Sequence, residues 1–507
     1  MANSHALQAQ YAELVRRSRE IAVLSSCAEL LGWDEETYMP AGGVAQRAQQ
    51  LALLAGIRHE KISDPRMGEL IVALEASELA KRPETPEAVN IREIRKSYDR
   101  RQKISRSLLE EIVRTTTLAQ REWRVAYNES DFERFRPWLE KVVALKRKEA
   151  MALERDGDLY DALLEDFEPG ARGPMLEQIF SALQAELVPL LDRISEARRR
   201  PDESILERSY PVENQRAFSR WVAERLGFDF QIGRIDETVH PFCAGIGLGD
   251  ARVATRYNPS DFTQGLFAVI HEVGHAFYEQ GLDPEHYGTP VGSTVSLGIH
   301  ESQSRLWENL VGRSLEFWRF FHAPAREAFG ASLAGVSTES LHFAVNRVRP
   351  TFVRAEADEV TYNLHIIVRF QLERALLNGD LEPAELPGAW NELYNRYLGI
   401  TPSCDREGCL QDCHWGSGLF GYFPTYTLGN LYAAQLFEKA AEDVGDLEAG
   451  FARGEFQRLL EWLRSRVHRL GRRLDAARLI ETATGQKPGH TAFVRRLKDK
   501  YCSLYGV

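Results

Sequence analysis

Apolar residues recur every three to four positions through most of this chain, and that period commits it to helices. Between Pro86 and Phe132, Ile91, Ile94 and Tyr98 are followed by Ile104, Leu108 and Ile112 in an otherwise polar stretch. Such spacing lines one side of a helix, and it predicts a single long amphipathic helix there. Stripes of the same period occupy 5–33, 172–198, 353–377 and 452–468. Proline and glycine punctuate them at Pro40-Ala41-Gly42-Gly43, at Glu168-Pro169-Gly170 and at Pro201. One stretch reads differently. Residues 242–257 carry small and β-branched side chains around Gly249-Asp250, which predicts a β-hairpin. The expected architecture is mostly α with a small sheet.

Length and composition narrow the function classes. A chain of 507 residues can bury a large core, and a helical enzyme of this size can form one intertwined body over 1–507. Within it we expect a helical N-terminal part, 1–200, and a catalytic part, 201–507. The composition, 44% hydrophobic and 27% charged, is ordinary for a globular protein. A net charge of −11 argues against a nucleic-acid partner, which needs a basic footprint. No apolar run reaches the roughly 20 residues of a membrane helix. The first residues lead into Arg16, Arg17 and Arg19 without the apolar core of a secretory signal. The expectation is a cytoplasmic protein with no membrane partner. Six cysteines do not make a disulfide framework. Cys404, Cys409 and Cys413 cluster, but their spacing fits no usual zinc or iron–sulfur pattern, and they are read as free thiols.

The chemistry concentrates in Leu266–Gly281, where an apolar run contains His271-Glu272-Val273-Gly274-His275. Histidines four apart on a helix share a face one turn apart, within reach of one ion. Glu272, beside the first, is placed to take a proton from a water that a metal activates. Gly281 suits a helix stop. A catalytic zinc needs a third protein ligand and an open position. Glu301, in Gly298-Ile299-His300-Glu301-Ser302-Gln303, is the best candidate downstream, presented by a second helix.

These residues resemble the carboxypeptidase Taq family of zinc metallocarboxypeptidases, and the resemblance runs over nearly the whole chain. His271–His275 and His300-Glu301-Ser302-Gln303 match two of its signatures. Gly408-Cys409-Leu410-Gln411-Asp412-Cys413-His414-Trp415 matches Gly-x-x-Gln-Asp-x-His-Trp. Val353-Arg354-Ala355-Glu356-Ala357-Asp358 is similar to Ile-Arg-x-x-Ala-Asp, and Asp250-Ala251-Arg252-Val253-Ala254 to Asp-x-Arg-x-Thr, with Ala254 in place of threonine. Thr255 follows directly but is expected on the opposite face of the strand. Trp33-Asp34-Glu35-Glu36-Thr37-Tyr38-Met39-Pro40 resembles Trp-Asp-x-x-Thr-x-x-Pro.

The resemblance implies a saddle-shaped, helical gluzincin-type fold whose N-terminal part lines a long central groove, with the small sheet beside it. It implies one divalent metal, zinc with cobalt as a substitute, held by His271, His275 and Glu301. It implies a homodimer, and removal of C-terminal residues with broad specificity from peptides that have a free C-terminus. Glu272 is the expected general base. His414 is the first candidate to stabilise the oxyanion, Tyr422 the second and Tyr426 a weaker third. An exopeptidase must read the terminal carboxylate, a task suited to a guanidinium fork. Arg354 is the first choice and Arg252 the second. The competing expectation is that these arginines form structural pairs, Arg252 with Asp250 or Arg354 with Asp358, the latter four apart on a predicted helix. Two other functions stand against the main reading: a related endopeptidase, oligopeptidase or dipeptidyl carboxypeptidase, and a non-enzymatic helical interaction protein with a structural metal.

Overall fold

The computed structural model describes residues 2–154 and 158–507. Helices dominate, and three strands form one small sheet. The chain begins with the helices Ala2–Thr37, Val44–Ile62, Pro65–Glu75 and Pro86–Lys103. Asp64 and Thr85 cap the last two, their side chains accepting the Arg66 and Ala88 backbone N–H groups, and a proline follows each cap, where its missing N–H costs nothing. Leu14, Met67, Leu70, Leu74, Ile91 and Ile94 bury one another in a small core of their own.

The single helix predicted over 86–132 is two, Pro86–Lys103 and Arg106–Glu129. Ile104 is extended, with φ −94° and ψ 118°. The Ser105 hydroxyl accepts the Leu108 N–H and starts the second helix. Serine favours that local bond over a place inside a helix. The apolar stripe crosses the break, so periodicity alone reads through it. The 353–377 stripe is also divided. Arg354–Glu356 is a 3-10 turn, and the helix runs from Tyr362 to Asn378. Between them the Asp358 carboxylate accepts the backbone N–H groups of Arg349, Val360 and Thr361, which holds a turn.

The predicted hairpin is β2 (Phe242–Gly247) and β3 (Asp250–Thr255). A further strand, β1 (Gly233–Glu237), pairs parallel with β3, giving the order β1-β3-β2. Its sequence, Gly-Arg-Ile-Asp-Glu, has no apolar alternation to reveal it. Successive β2 side chains face opposite ways. Phe242, Ala244 and Ile246 pack with Trp33 at the end of the first helix. On the other face, a Cβ at Gly245 would lie 2.6 Å from the Glu279 carboxyl carbon of the Phe262–Gly281 helix. The Trp33–Pro40 motif is thus a junction: Arg252 lies 4.2 Å over the Trp33 ring, Tyr38 donates to Asp236 at 2.8 Å, and Asp34 pairs with Arg47 at 2.6 Å.

Three helices meet at the centre. Phe262–Gly281 starts at Asp261, whose carboxylate accepts the Thr263 N–H. Leu297–Arg305 packs against it so closely that a Cβ on Gly274 would stand 2.6 Å from Ser304 Cα and 2.7 Å from Gln303 O. Pro424–Val444 closes the other side, where a Cβ on Gly429 would stand 2.5 Å from Glu301 Cγ. After Arg305 the helix widens into a π turn, Leu306–Gly312, wholly buried and centred on Trp307 and Glu308. No helix among the described residues is long and apolar enough to cross a membrane.

One substitution made at two glycines tests this packing. Gly274→Ala must push backbone against backbone and should cost about 1–3 kcal/mol. Gly56, inside the Val44–Ile62 helix with no atom within 4 Å of its added Cβ, should gain about 0.5–1 kcal/mol as alanine. Thermal unfolding of both variants checks the opposite signs.

Candidate active site

His271 and His275 extend from adjacent turns of the 262–281 helix, and Glu301 reaches them from the 297–305 helix. Their ligand atoms all lie within 4.8 Å of one another. His275 Nε2 is 3.4 Å and His271 Nε2 3.7 Å from Glu301 Oε2. Two donors each about 2.0–2.1 Å from a tetrahedral ion stand about 3.4 Å apart, so the donor set fits a divalent metal. The second nitrogen of each ring is held as well. His271 Nδ1 lies 2.9 Å from Glu308 Oε2, and His275 Nδ1 lies 3.1 Å from His300 O. With Nε2 left to a metal, Nδ1 carries the proton and donates, which fixes tautomer and ring orientation. His300 Nδ1 stands 2.6 Å from His275 Nδ1, and its Nε2 bonds Glu279 at 2.9 Å.

Charge sorts the carboxylates. Arg305 donates to Glu301 Oε1 at 2.7 Å and to Glu308 Oε2 at 3.3 Å, and Arg313 reaches Glu308 Oε1 at 3.1 Å. Burial opposes ionisation of both glutamates, but Arg305 and His271 outweigh it and hold them well below the usual carboxylate range. Burial also lowers His275, to about 3, which keeps its imidazole neutral. Glu272 has no arginine partner among the described residues, and burial pushes it up to about 7. The N-terminus of the Glu301 helix is anchored from far away in sequence. Glu168 accepts the Gly298 N–H at 2.9 Å and the Tyr432 hydroxyl at 3.1 Å, and Phe167 O accepts the Leu297 N–H at 3.0 Å.

A second cluster leads into the helix whose Gly429 packs against Glu301. The His414 ring packs 5.3 Å from Tyr422 and 4.5 Å from Phe423, and His414 Nε2 is 3.4 Å from the Tyr426 hydroxyl. Burial raises both phenols, and the Glu301 charge adds to the rise. Burial lowers His414 to about 4, so its ring is neutral. The loop is fixed by Glu373, which accepts Trp415 Nε1 at 2.9 Å, Gly421 N at 3.1 Å and the Tyr160 hydroxyl at 3.0 Å.

Arg354 does not pair with Asp358, which is engaged as the turn described above. Because Arg354 sits in a 3-10 turn, the four-residue helical spacing does not apply to it. Its Nη2 donates to Asp412 Oδ1 at 2.8 Å and its Nη1 to the Tyr362 hydroxyl at 3.0 Å. Arg369, fully buried, takes Asp412 Oδ2 at 2.6 Å. Two guanidiniums thus share one carboxylate, and the group keeps a positive charge. Arg252 pairs with Asp250 through two bonds of 2.8 and 2.7 Å. Ala254 and Thr255 are both fully buried, and the Thr255 hydroxyl has no partner among the described residues, so no bond of Thr255 makes up for the threonine replaced at 254. Cys404, Cys409 and Cys413 are free thiols.

Sequence reading missed several residues that hold this site. Arg305 and Glu308 follow Glu301 by one and two turns, a spacing that could have flagged them. Glu168, Arg369 and Glu373 gave no local signal.

The comparisons with known proteins agree with this geometry. A sequence profile of the Carboxypeptidase Taq (M32) metallopeptidase family matches residues 13–501. Thermostable carboxypeptidase 1 of Thermus thermophilus is 49% identical, with 98% of this chain and 99% of that one aligned. Carboxypeptidase 1 of Bacillus subtilis is 37% identical over 99% of both. The crystal structure of the M32 carboxypeptidase from Deinococcus radiodurans R1 superposes with a TM-score of 0.95, at 40% identity, over 98% of this chain and all of that one. With a matched sequence profile, a shared helical fold around a small sheet, and two histidines and a glutamate converging as metal donors, this chain belongs to the carboxypeptidase Taq (M32) family and is a metallocarboxypeptidase, a peptide hydrolase.

Proposed function

We propose that the protein removes single C-terminal residues, with broad specificity, from peptides that have a free C-terminus, using zinc held by His271, His275 and Glu301. The observation that carries this reading is the convergence of those three donors beside a buried glutamate that has no arginine partner. Bound there, the metal supplies Lewis acidity, lowering the pKa of water and polarising the scissile carbonyl. Two imidazoles and one carboxylate suit zinc, with cobalt as a substitute.

Glu272 takes the proton of the attacking water and delivers it to the leaving amine. Burial pushes its pKa up to about 7, and a cation bound beside it would favour the ionised form that accepts the proton. His414 donates to the developing oxyanion. Burial keeps the ring neutral, so it retains one N–H for this purpose. Tyr422 is the second donor. Arg354 reads the substrate carboxylate. Its support is the charge count: Arg354 and Arg369 share Asp412, leaving one positive charge for an incoming anion. Arg252 is the weaker candidate, since Asp250 already engages its Nε and one Nη. A homodimer rests on the family resemblance alone.

Three experiments test the assignments. His271→Ala, His275→Ala and Glu301→Ala should each lose the metal and activity together, while Glu272→Gln keeps the metal and loses roughly 10²–10⁴ in kcat. Metal analysis of the purified variants beside their turnover decides this, and full metal content in the three alanine variants rejects the ligand set. His414→Ala should lower kcat by roughly 10²–10³ with little change in KM; a change in KM alone would mark it as a positioning residue. Arg354→Ala should erase the preference for a free-acid peptide over its C-terminal amide by raising KM for the acid. Retention of the full preference would assign Arg354 to holding Asp412 only.

A further inference from the structure

A cavity of about 870 Å3 lies between the N-terminal helices and the outer edge of β2. Its wall includes Glu279, whose carboxylate bonds His300, which in turn touches His275. The cavity therefore starts one side chain from a proposed metal ligand. From there it follows β2 through Gly245, Ile246 and Gly247. Gly245 faces Glu279 of the Phe262–Gly281 helix, which also carries Glu272, and Cys243 lies two residues earlier on the same face of the strand, where burial and the Glu272 charge raise its thiol. β2 thus runs along the helix of the proposed general base into the cavity. It is an edge strand, with β3 on one side only, and such an edge offers N–H and C=O groups to an extended peptide.

The wall contributed by the N-terminal helices carries two arginines from different helices, Arg58 on Val44–Ile62 and Arg101 on Pro86–Lys103. Arg58 has one long hydrogen bond, 3.5 Å to the Ser25 hydroxyl. Arg101 has no hydrogen bond or ion pair among the described residues, and Asp166, which Arg100 holds at 2.6 Å, acts on it through charge alone. Glu29, Asp250 and Asp283 share the wall; the Arg58 charge acts on Glu29, but among the described residues no ion pair joins any of them to Arg58 or Arg101. Burial lowers the Arg101 pKa, and the charge of Arg58 lowers it further, so the two guanidiniums repel. An anion placed between them relieves that repulsion.

We propose that this cavity is a specificity subsite, in which Arg58 and Arg101 bind an acidic side chain of the peptide upstream of the bond that is cleaved. Cys243 to Gly247 is four residues, about 13 Å at the strand rise of about 3.3 Å, and an extended peptide advances at the same rate. The acidic residue therefore sits about four positions before the scissile bond. This inference rests on the carboxypeptidase reading of the 271–301 site.

The test compares unblocked peptides with one common C-terminal residue that differ only in carrying Glu, Gln or Lys at that upstream position. An N-acylated dipeptide, too short to reach the cavity, gives the reference rate for each protein. Wild type should favour Glu over Lys by about tenfold in kcat/KM at low salt, with the ratio shrinking as salt is added. In the double variant Arg58→Gln, Arg101→Gln the ratio should fall towards one, through KM for the Glu peptide. A ratio of one in wild type, or an undiminished ratio in the double variant, overturns the subsite. Anisotropy of the same peptides, fluorescently tagged, bound to the Glu272→Gln protein separates the two readings. Glu-selective binding without hydrolysis by wild type keeps the subsite and sinks the carboxypeptidase reading, and hydrolysis without any Glu preference does the reverse.

Discussion

Glu301 can meet two histidines because glycine on each side lets three helices converge on it. Helices with ordinary side chains at the contact pack 8–10 Å apart. Here Gly274 admits the backbone of Gln303 and Ser304, and Gly429 admits the stem of Glu301 itself. The carboxylate is thereby set against the imidazole edges at 3.4 and 3.7 Å. A methyl at either glycine would have to displace the helix that carries the ligand. Protein interiors are close-packed and transmit such displacements instead of absorbing them. The rest of the site inherits its geometry from this contact. Glu308 reaches His271 from the π turn that continues the same helix, and the Tyr422–Tyr426 segment opens the helix that contains Gly429.

The second organising rule is electrostatic. A buried carboxylate is costly to ionise unless a cation meets it. This fold supplies arginine to some glutamates and withholds it from others. Glu301 and Glu308 share Arg305 and stay ionised, the form in which a carboxylate can serve a metal site. Glu272 and the two anchors, Glu168 and Glu373, have no arginine bonded to them among the described residues, and burial moves each to about 7. The same residue type thus serves as fixed charge in one place and as a proton-exchanging or neutral group in another, according to which cation the neighbouring helix turn presents.

Local chemistry was legible in sequence and long-range chemistry was not. The His271–His275 pair needs only helical spacing, and Glu301 could be found because it opens a second helix pattern. The hairpin was visible in its β-branched residues, whereas β1 is too short and charged to announce itself, and it exists because β3 offers it an edge. The break at Ser105 was hidden because the apolar stripe continues through it and only the serine's cap marks the new start. Arg354 was expected on a helix with Asp358 because spacing by four is the only rule a sequence offers. Its partner, Asp412, lies more than fifty residues away and is shared with Arg369, an arrangement that only packing creates. The family signatures had flagged 354 and 412 separately without saying that they meet.

The anchor at Glu168 has a consequence for how the molecule is made. Glu168 belongs to the first third of the chain, yet it holds the start of the helix bearing Glu301 together with Tyr432, near the chain's end. Contacts this distant in sequence form late, because the loops between them must close first. During synthesis the two histidines leave the ribosome well before Gly429 and Tyr432, so the donors exist as a bare helix until most of the polypeptide is present. The candidate metal site therefore comes together only with the later part of the chain: a product truncated before Gly429 carries the His-Glu-x-x-His sequence but not the three-sided packing around Glu301.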